Sequence, residues 1–136
     1  MDIYWFKRDL RIQDNSALYE ASKQKCILPL YIFEPELWKQ QDHSYRHYAF
    51  LVEALTSLSH EMETTNSNLN ILVGDAVGIF DKLCKIYNVE RIWSQQETRN
   101  LWTYNRDKAV ASWAKKNKVK WLQKPTNGIV RNLDNR

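Results

Sequence analysis

The chain has 136 residues and a mass of 16.3 kDa, which suits one domain and is too short for two enzymatic ones. Its composition, 43% hydrophobic and 26% charged with six Trp, seven Tyr and four Phe, predicts a folded core and excludes a disordered segment. It contains no run of about 18 apolar residues and no apolar signal region near the charged N-terminus. We therefore expect neither membrane insertion nor secretion, and the cytoplasm is the default compartment.

Charge is distributed unevenly along the chain. Residues 1–98 carry ten Lys or Arg and fourteen Asp or Glu, whereas residues 99–136 carry ten and two. This basic C-terminal third would face phosphate, nucleic acid or an acidic neighbouring domain, or else form a solvated helix face. Direct nucleic-acid binding is the weakest of these interpretations, because the aromatic residues Trp113 and Trp121 fit core positions rather than a stacking platform.

The first half of the chain alternates between predicted strands and helices. An apolar run at residues 3–6 predicts a first strand, and a helix follows the capping segment at residues 14–16. The run at residues 26–33 predicts a second buried strand. Ser44 caps the next predicted helix, whose apolar residues recur at three- and four-residue steps: Tyr48, Leu51, Val52, Leu55 and Met62.

The second half continues the alternation. Residues 69–73, 91–94 and 119–122 predict three further strands. Asp75 opens a helix whose apolar stripe consists of Ile79, Phe80, Leu83, Cys84 and Tyr87. A last helix is predicted over residues 101–116, with four residues facing inward: Ala109, Val110, Trp113 and Ala114. Cys26 and Cys84 lack the spacing of a disulfide framework or a zinc site, so both are predicted to be core residues.

The order βαβαβαβαβ predicts an α/β fold. Crossovers long enough to contain helices favour a five-stranded parallel sheet, Rossmann-like, with helices on both faces. Ligands of such sheets bind beyond the carboxyl ends of the strands. The residues that follow the strands are polar and of mixed charge: Lys7, Arg8, Asp9, Arg11, Glu34, Pro35, Gly74, Asp75, Gln95, Gln96, Glu97 and Arg99.

Several common chemistries are excluded by missing motifs. With three glycines, the chain cannot form GxGxxG or GxxxxGK[ST], which excludes a dinucleotide-binding dehydrogenase and a P-loop NTPase. No GxSxG turn is present for a serine hydrolase. His43 and His47 have the spacing of a metal pair but no apparent third ligand, so they are interpreted as the polar first turn of a helix.

The segment WFKRDLRIQDNSAL, residues 5–18, resembles the opening strand and loop of the DNA photolyase and cryptochrome family. LPLYIFEPEL at residues 28–37 is similar to the family's second strand and turn, and LVGD at residues 72–75 to its third strand. TYNRDKAV at residues 103–110 resembles the fourth helix, and NGIVRNLDNR at residues 127–136 the start of the inter-domain connection. The resemblance covers essentially the whole chain.

The resemblance implies that residues 1–136 form the family's N-terminal α/β domain, without the helical C-terminal domain that holds FAD. Its partners would be that domain and, through the full-length protein, UV-damaged DNA. The parent protein would be a deoxyribodipyrimidine photo-lyase, a carbon–carbon lyase that repairs pyrimidine dimers under blue light, and this chain alone would be inactive. A cryptochrome-type photoreceptor without repair activity is the alternative, and a stand-alone nucleotide- or protein-binding module is another.

The family's N-terminal domain often binds a light-harvesting antenna chromophore, so the resemblance also implies a site for one. Phe6 and Phe33 would supply its walls, and Lys7 and Arg8 would hold an anionic tail. Glu34 and Glu97 would accept hydrogen bonds from ring N–H groups, and Arg46 and Phe50 on the second helix would close the slot. Trp102 is a further residue predicted to bind the chromophore. The alternative for the aromatic residues is core packing, and for the charged loop residues a network of salt bridges and caps.

The chromophore class stays open at this point. Folate-binding relatives carry an Asn-Glu pair near the start of the fourth helix, where this chain has Trp102 and Thr103, which argues against the folate type. The segment from Gln95 to Trp102 is also longer than the matching loop of deazaflavin-binding relatives. A deazaflavin, FMN, a lumazine and an empty site remain as alternatives.

Overall fold

A computed structural model describes residues 1–7, 10, 12, 15–24, 26–39, 45–65, 67–96 and 100–124. Five strands run β1 Asp2–Phe6, β2 Ile27–Phe33, β3 Asn70–Val73, β4 Arg91–Gln95 and β5 Lys120–Lys124. The helices are α1 Ser16–Ser22, α2 Pro35–Trp38, α3 Tyr45–Glu63, α4 Ala76–Ile86 and α5 Leu101–Lys116. The predicted alternation is confirmed, with the short α2 as an addition.

All five strands are parallel, in the order β3-β2-β1-β4-β5. The predicted five-stranded parallel sheet is therefore confirmed. Pro29 is accommodated inside β2 because β3 pairs only from Leu30 onward, opposite Asn70. The Asn70 side-chain amide donates to the Pro29 carbonyl at 3.1 Å, so this polar group is satisfied where the neighbouring strand has not yet begun.

Two apolar layers cover the sheet. Side chains that alternate along each strand place Ile3 and Trp5 against α4 and α5, and Tyr4 and Phe6 against α1 and α3. The first layer includes the buried Phe80, and each layer continues through both neighbouring strands. Burial on both faces explains why the sequences of β1 and β2 are nearly continuous apolar runs.

Two predicted helix caps are confirmed, and a third cap was not predicted. Asn15 accepts from the Leu18 amide at the start of α1, and Asp75 accepts from the Gly78 amide at the start of α4. At α5, Asn100 and Thr103 form a capping box. The short α2 begins with Pro35 at its first position and is too brief to show a helical repeat in the sequence. The predicted cap Ser44 lies outside the described residues.

Three burial predictions are wrong. Cys26 is exposed because it precedes the first paired residue of β2 and lies outside the sheet. Ala109 is exposed, since the buried stripe of α5 runs through Thr103, Arg106 and Val110 instead. On α4, Tyr87 follows the last helical residue and is 40% exposed, so it leaves the apolar stripe. Cys84 lies half-buried against the core, as its place in that stripe predicts.

Candidate functional site

The topology of the sheet locates a candidate site between β1 and β4. The chain passes from β1 outward to β2 and β3, then returns to place β4 on the other side of β1. At such a switch point, the connections leave toward opposite faces and open a crevice beyond the strand ends. β1 ends at Phe6 and is followed by Lys7, and β4 ends at Gln95 and is followed by Gln96.

A buried charged cluster lies at this end of the sheet, on the side of α5. Its members are Lys7, Glu34, Arg106 and Asp107, which we call the charged cluster. Lys7 Nζ lies 2.7 Å from Asp107 Oδ2, and Arg106 Nε lies 2.8 Å from Asp107 Oδ1. Arg106 also forms a buried ion pair with Glu34. Two cations and two carboxylates balance, so these charges tolerate burial.

Tryptophan rings enclose the cations of the charged cluster. Lys7 Nζ lies 5.0 Å from the ring centroid of Trp5 and 5.4 Å from that of Trp121. The Arg106 guanidinium lies 4.9 Å from the Trp5 ring and 5.6 Å from the Trp102 ring. Cations within about 6 Å of an indole face are attracted to its electron density. These contacts connect α5 to the end of β1 and fix the half-buried Trp102 at the rim.

An aromatic cluster occupies the other side of the sheet at the end of β2. Phe33 and Trp38 stack with ring centroids 5.7 Å apart and an interplanar angle of 8°. Tyr48 of α3 meets both rings edge-on at 5.9 Å. Tyr48 remains 45% exposed, and Phe33 and Trp38 are half-buried. These three residues, the aromatic cluster, therefore present a partly open apolar surface beside the switch point.

A polar hub links β1, β4 and α1 beneath the crevice. The Asn15 side-chain oxygen accepts from the Leu18 amide at 3.0 Å, the Tyr4 hydroxyl at 2.9 Å and Gln95 Nε2 at 2.7 Å. The other end of the Gln95 amide, its Oε1, is shut off from solvent and has no hydrogen-bond partner within the described part of the chain. A buried acceptor of this kind at a strand end is suited to a ligand that brings an N–H group.

The structure brings together only part of the predicted site. Lys7, Glu34 and Trp102 meet around Arg106, whereas Phe33 lies across the sheet in the aromatic cluster. Phe6 is 1% exposed and packs edge-on against Tyr4 in the core.

Other predicted site residues lie elsewhere. Arg46 and Phe50 are exposed, Phe50 by 71%, on the side of α3 that faces away from its buried residues. Arg8 and Glu97 lie outside the described residues, as does His43.

Arg106 and Asp107 are the residues that the sequence reading missed. Both lie far along the chain from Lys7 and Glu34, and no local motif connects them. One signal was present: Thr103, Arg106, Val110 and Trp113 recur at three- and four-residue steps, so Arg106 interrupts an apolar stripe. A charge at such a position indicates a buried ion pair, because an unpaired charge would be too costly there.

Two searches of the described part of the chain gave negative results. No three or more His, Cys, Asp or Glu side chains within it are grouped so that they could hold a metal ion. No helix within it is both long and apolar enough to cross a membrane.

Comparisons with a family model and with curated proteins indicate the same family. The family model described as DNA photolyase matches residues 2–133. The chain is 29% identical over 119 residues to cryptochrome-1 of Anopheles gambiae, which covers 81% of this chain and 22% of that protein. It is 33% identical over 104 residues to the chloroplastic/mitochondrial cryptochrome DASH of Arabidopsis thaliana, covering 71% and 18%. The chain thus spans about a fifth of the length of these relatives.

Solved structures show the same fold. An archaeal photolyase from Sulfolobus tokodaii, described with two FAD molecules and an implied novel light-harvesting cofactor, superposes with a TM-score of 0.78 at 24% identity. That match covers 92% of this chain and 29% of the other. A class III photolyase from Agrobacterium tumefaciens gives a TM-score of 0.80 at 23% identity, covering 91% and 25%. The fold matches the N-terminal α/β domain of photolyases and cryptochromes.

Proposed function

The chain belongs to the DNA photolyase family, and we propose that it acts as the antenna domain of a photolyase or cryptochrome, binding a light-harvesting chromophore at the carboxyl edge of its sheet. The observation that carries this proposal is the partly open aromatic cluster beside a switch point with an unpartnered buried acceptor. A flat conjugated ring needs an apolar surface and a few polar anchors, and both are available here. When bound, the chromophore would absorb light and pass its excitation energy to a flavin.

The residues of the chain have separate tasks in this proposal. Phe33, Trp38 and Tyr48 provide a face against which a ring packs, because one edge of their cluster remains open. Lys7 and Trp102 lie on the opposite side of the sheet and bound the crevice there. The charged cluster keeps the strand ends and α5 in place, so that the site is largely preformed when the ligand arrives.

The predicted roles of Arg8 and Glu97 remain part of the proposal, as polar anchors next to Lys7 and Gln96 along the chain. Phe6 supports the floor, since its ring is buried beneath the strand ends. Arg46 and Phe50 take part only if the ligand or its tail reaches the outer face of α3. FMN, a deazaflavin or a lumazine presents a ring of suitable shape; a folate is the weaker candidate because Trp102 and Thr103 stand where folate-binding relatives carry an Asn-Glu pair.

The domain assignment is likewise a proposal. Residues 1–136 would pair with a helical, FAD-binding domain of the same protein, and contact with UV-damaged DNA would run through that larger protein. A blue-light photoreceptor is the second candidate function, favoured by the cryptochromes among the similar curated proteins. The two functions share the antenna role for this chain.

Spectroscopy of the purified protein tests the antenna proposal. We expect an absorption band in the near-ultraviolet or blue that persists through gel filtration and is released as a free chromophore on denaturation. Where the protein is purified without ligand, titration with FMN, 8-hydroxydeazaflavin, 6,7-dimethyl-8-ribityllumazine and methenyltetrahydrofolate replaces that measurement. A protein that is colourless and binds none of the four would overturn the proposal.

Matched variants locate the site. Tyr48→Ala and Trp102→Ala should each weaken chromophore binding about tenfold, because each removes one aromatic surface. Tyr104→Ala is the control, since Tyr104 is an exposed aromatic of the same helix as Trp102. Phe50→Ala distinguishes the two sides of α3: unchanged affinity confines the ligand to the inner side. Equal affinities for wild type, Tyr48→Ala and Trp102→Ala would contradict this location.

A further inference from the structure

Gln95 occupies a special position at the switch point. It is the last residue of β4, whose register pairs Tyr4 with Trp93. Extending that register by two residues places Gln95 beside Phe6, the last residue of β1. Its side chain is 5% exposed and lies on the same face as Tyr4, with which it shares Asn15 as a hydrogen-bond acceptor. Gln95 therefore lies directly below the crevice between the two strands.

The orientation of the Gln95 amide is determined by its neighbours. The Leu18 backbone N–H donates to the Asn15 side-chain oxygen, which fixes that atom as an acceptor. The group of Gln95 that approaches this oxygen at 2.7 Å must then be the NH₂ group. The amide cannot be reversed without setting two oxygens against each other. Gln95 Oε1 consequently points away from the hub.

Gln95 Oε1 is the atom that needs an explanation. It is closed to solvent and accepts no hydrogen bond from the residues that the structure describes. Burying a carbonyl oxygen without a donor is costly, and most such atoms in folded proteins have a protein, water or ligand partner. The Asn15 oxygen and the Tyr4 hydroxyl beside it are hydrogen-bonded within the hub, whereas no described residue donates to Gln95 Oε1.

We propose that Gln95 Oε1 accepts a hydrogen bond from a ring N–H of the ligand and thereby selects a planar heteroaromatic ring with a lactam or imide N–H edge. This inference rests on the proposed antenna function and names the group by which the site recognises its ligand. Asn15 is a positioning residue, because its side-chain oxygen accepts from Gln95 Nε2 and so fixes which end of the amide is turned away from the hub. A ring without the N–H would leave the oxygen unpartnered and bind more weakly.

A pair of ligands and a pair of variants test this. Riboflavin carries an imide N–H, and 3-methylriboflavin carries a methyl group in its place. We would titrate each into the wild-type protein and into Gln95→Met and Gln96→Met, following the quenching of flavin fluorescence. Methionine matches glutamine in length but cannot accept the bond strongly. Gln96 precedes the same loop and is the matched control.

We expect the wild type and Gln96→Met to bind riboflavin at least about tenfold more tightly than 3-methylriboflavin, the value of one hydrogen bond. Gln95→Met should lose most of this preference. The ratio of the two affinities is measured in the wild-type protein itself. The inference can therefore be tested even if Gln95→Met folds poorly.

Three outcomes would overturn the inference. Equal wild-type affinities for the two flavins would show that Oε1 is satisfied by water, while the antenna proposal stands. A preference that persists in Gln95→Met would assign the recognition to another group. If neither flavin bound at millimolar concentration, the inference about Gln95 would also be overturned. The antenna proposal would then be decided separately, by whether a chromophore co-purifies with the protein.

Discussion

Lys7 Nζ lies 2.7 Å from Asp107 Oδ2, although one hundred residues separate the two along the chain. The Lys7 side chain is 2% exposed, so this carboxylate compensates for the burial of its positive charge. Asp107 also contacts Arg106 Nε at 2.8 Å. One carboxylate therefore serves two buried cations and joins the end of β1 to α5.

We expect Asp107→Asn to lower the free energy of unfolding by about 3 kcal/mol, because it leaves two buried cations short of a counter-charge. Lys7→Met should cost less, since Asp107 keeps Arg106 as its partner. Denaturant unfolding monitored by circular dichroism measures both.

Glu36→Gln provides the control for this pair of variants. Glu36 pairs with Lys39 at 3.0 Å, but both side chains are about two-thirds exposed. Exposed pairs contribute at most about 1 kcal/mol, so this variant should unfold almost as the wild type does. An Asp107→Asn protein as stable as Glu36→Gln would contradict the importance of the charged cluster.

The fold followed from the sequence because its signals are local. Strands buried on both faces appear as apolar runs, and α1 and α4 begin at caps that the sequence predicts. The same pattern predicts where a ligand would bind, since ligands bind at the carboxyl ends of parallel strands. Lys7 and Glu34 are candidate site residues on that basis, and the structure places both in the charged cluster.

The partners of these residues could not be predicted by the same means. Arg106 and Asp107 are brought to the strand ends by the packing of α5, which depends on tertiary contacts. On α3 it is Tyr48, not Phe50, that joins the aromatic cluster, because a shift of two residues turns a helical side chain to nearly the opposite side. The spacing of apolar residues along a helix does not predict the direction of each side chain this closely.

Asn15→Ala should destabilise the protein far more than a simple loss of a helix cap. The Asn15 oxygen caps α1 and also accepts from the buried Tyr4 hydroxyl and from Gln95. Its removal takes away the acceptor that two further buried donors share, so we expect the free energy of unfolding to fall by about 3 kcal/mol. The comparison is Asp75→Ala, which removes an exposed cap with one bond to the Gly78 amide.

For Asp75→Ala we expect the free energy of unfolding to fall by about 1 kcal/mol. Thermal melts of the two variants, with unfolding followed in the far ultraviolet, rank them directly. If the two melting temperatures fell by equal amounts, Asn15 would be an ordinary cap and the hub would contribute nothing more.

Gly74→Ala and Gly78→Ala should have opposite effects. Gly74 has a φ of +149°, which side-chain-bearing residues rarely adopt, and a Cβ there would lie 3.4 Å from Ile79 Cδ1. We expect a cost of about 1–2 kcal/mol. Gly78 lies in the first turn of α4, where an added Cβ meets nothing closer than Asp75 Oδ2 at 3.6 Å, so alanine should stabilise by about 0.5 kcal/mol. The urea concentrations at the unfolding midpoints measure this difference. Midpoints that both rise or both fall relative to the wild type would refute the prediction.

The two cysteines should differ in reactivity. Cys26 is exposed, whereas burial raises the pKa of the half-buried Cys84 thiol and the nearby Asp81 carboxylate adds to that rise. A raised pKa lowers the thiolate fraction at neutral pH, and the thiolate is the reactive form. Iodoacetamide should therefore label Cys26 first, and the labelling of Cys84 should accelerate as the pH rises above the ordinary range of a thiol.

Single variants separate the two thiols in this experiment. Cys26→Ser reports Cys84 alone, and Cys84→Ser reports Cys26 alone, with labelling followed by mass spectrometry. In denaturant the two rates should converge, because burial and the Asp81 charge no longer act on Cys84. A third variant, Asp81→Asn, should raise the Cys84 rate modestly in the folded protein by removing the negative charge. Folded-state rates for Cys84 that equal those of Cys26 at neutral pH would contradict the predicted shift.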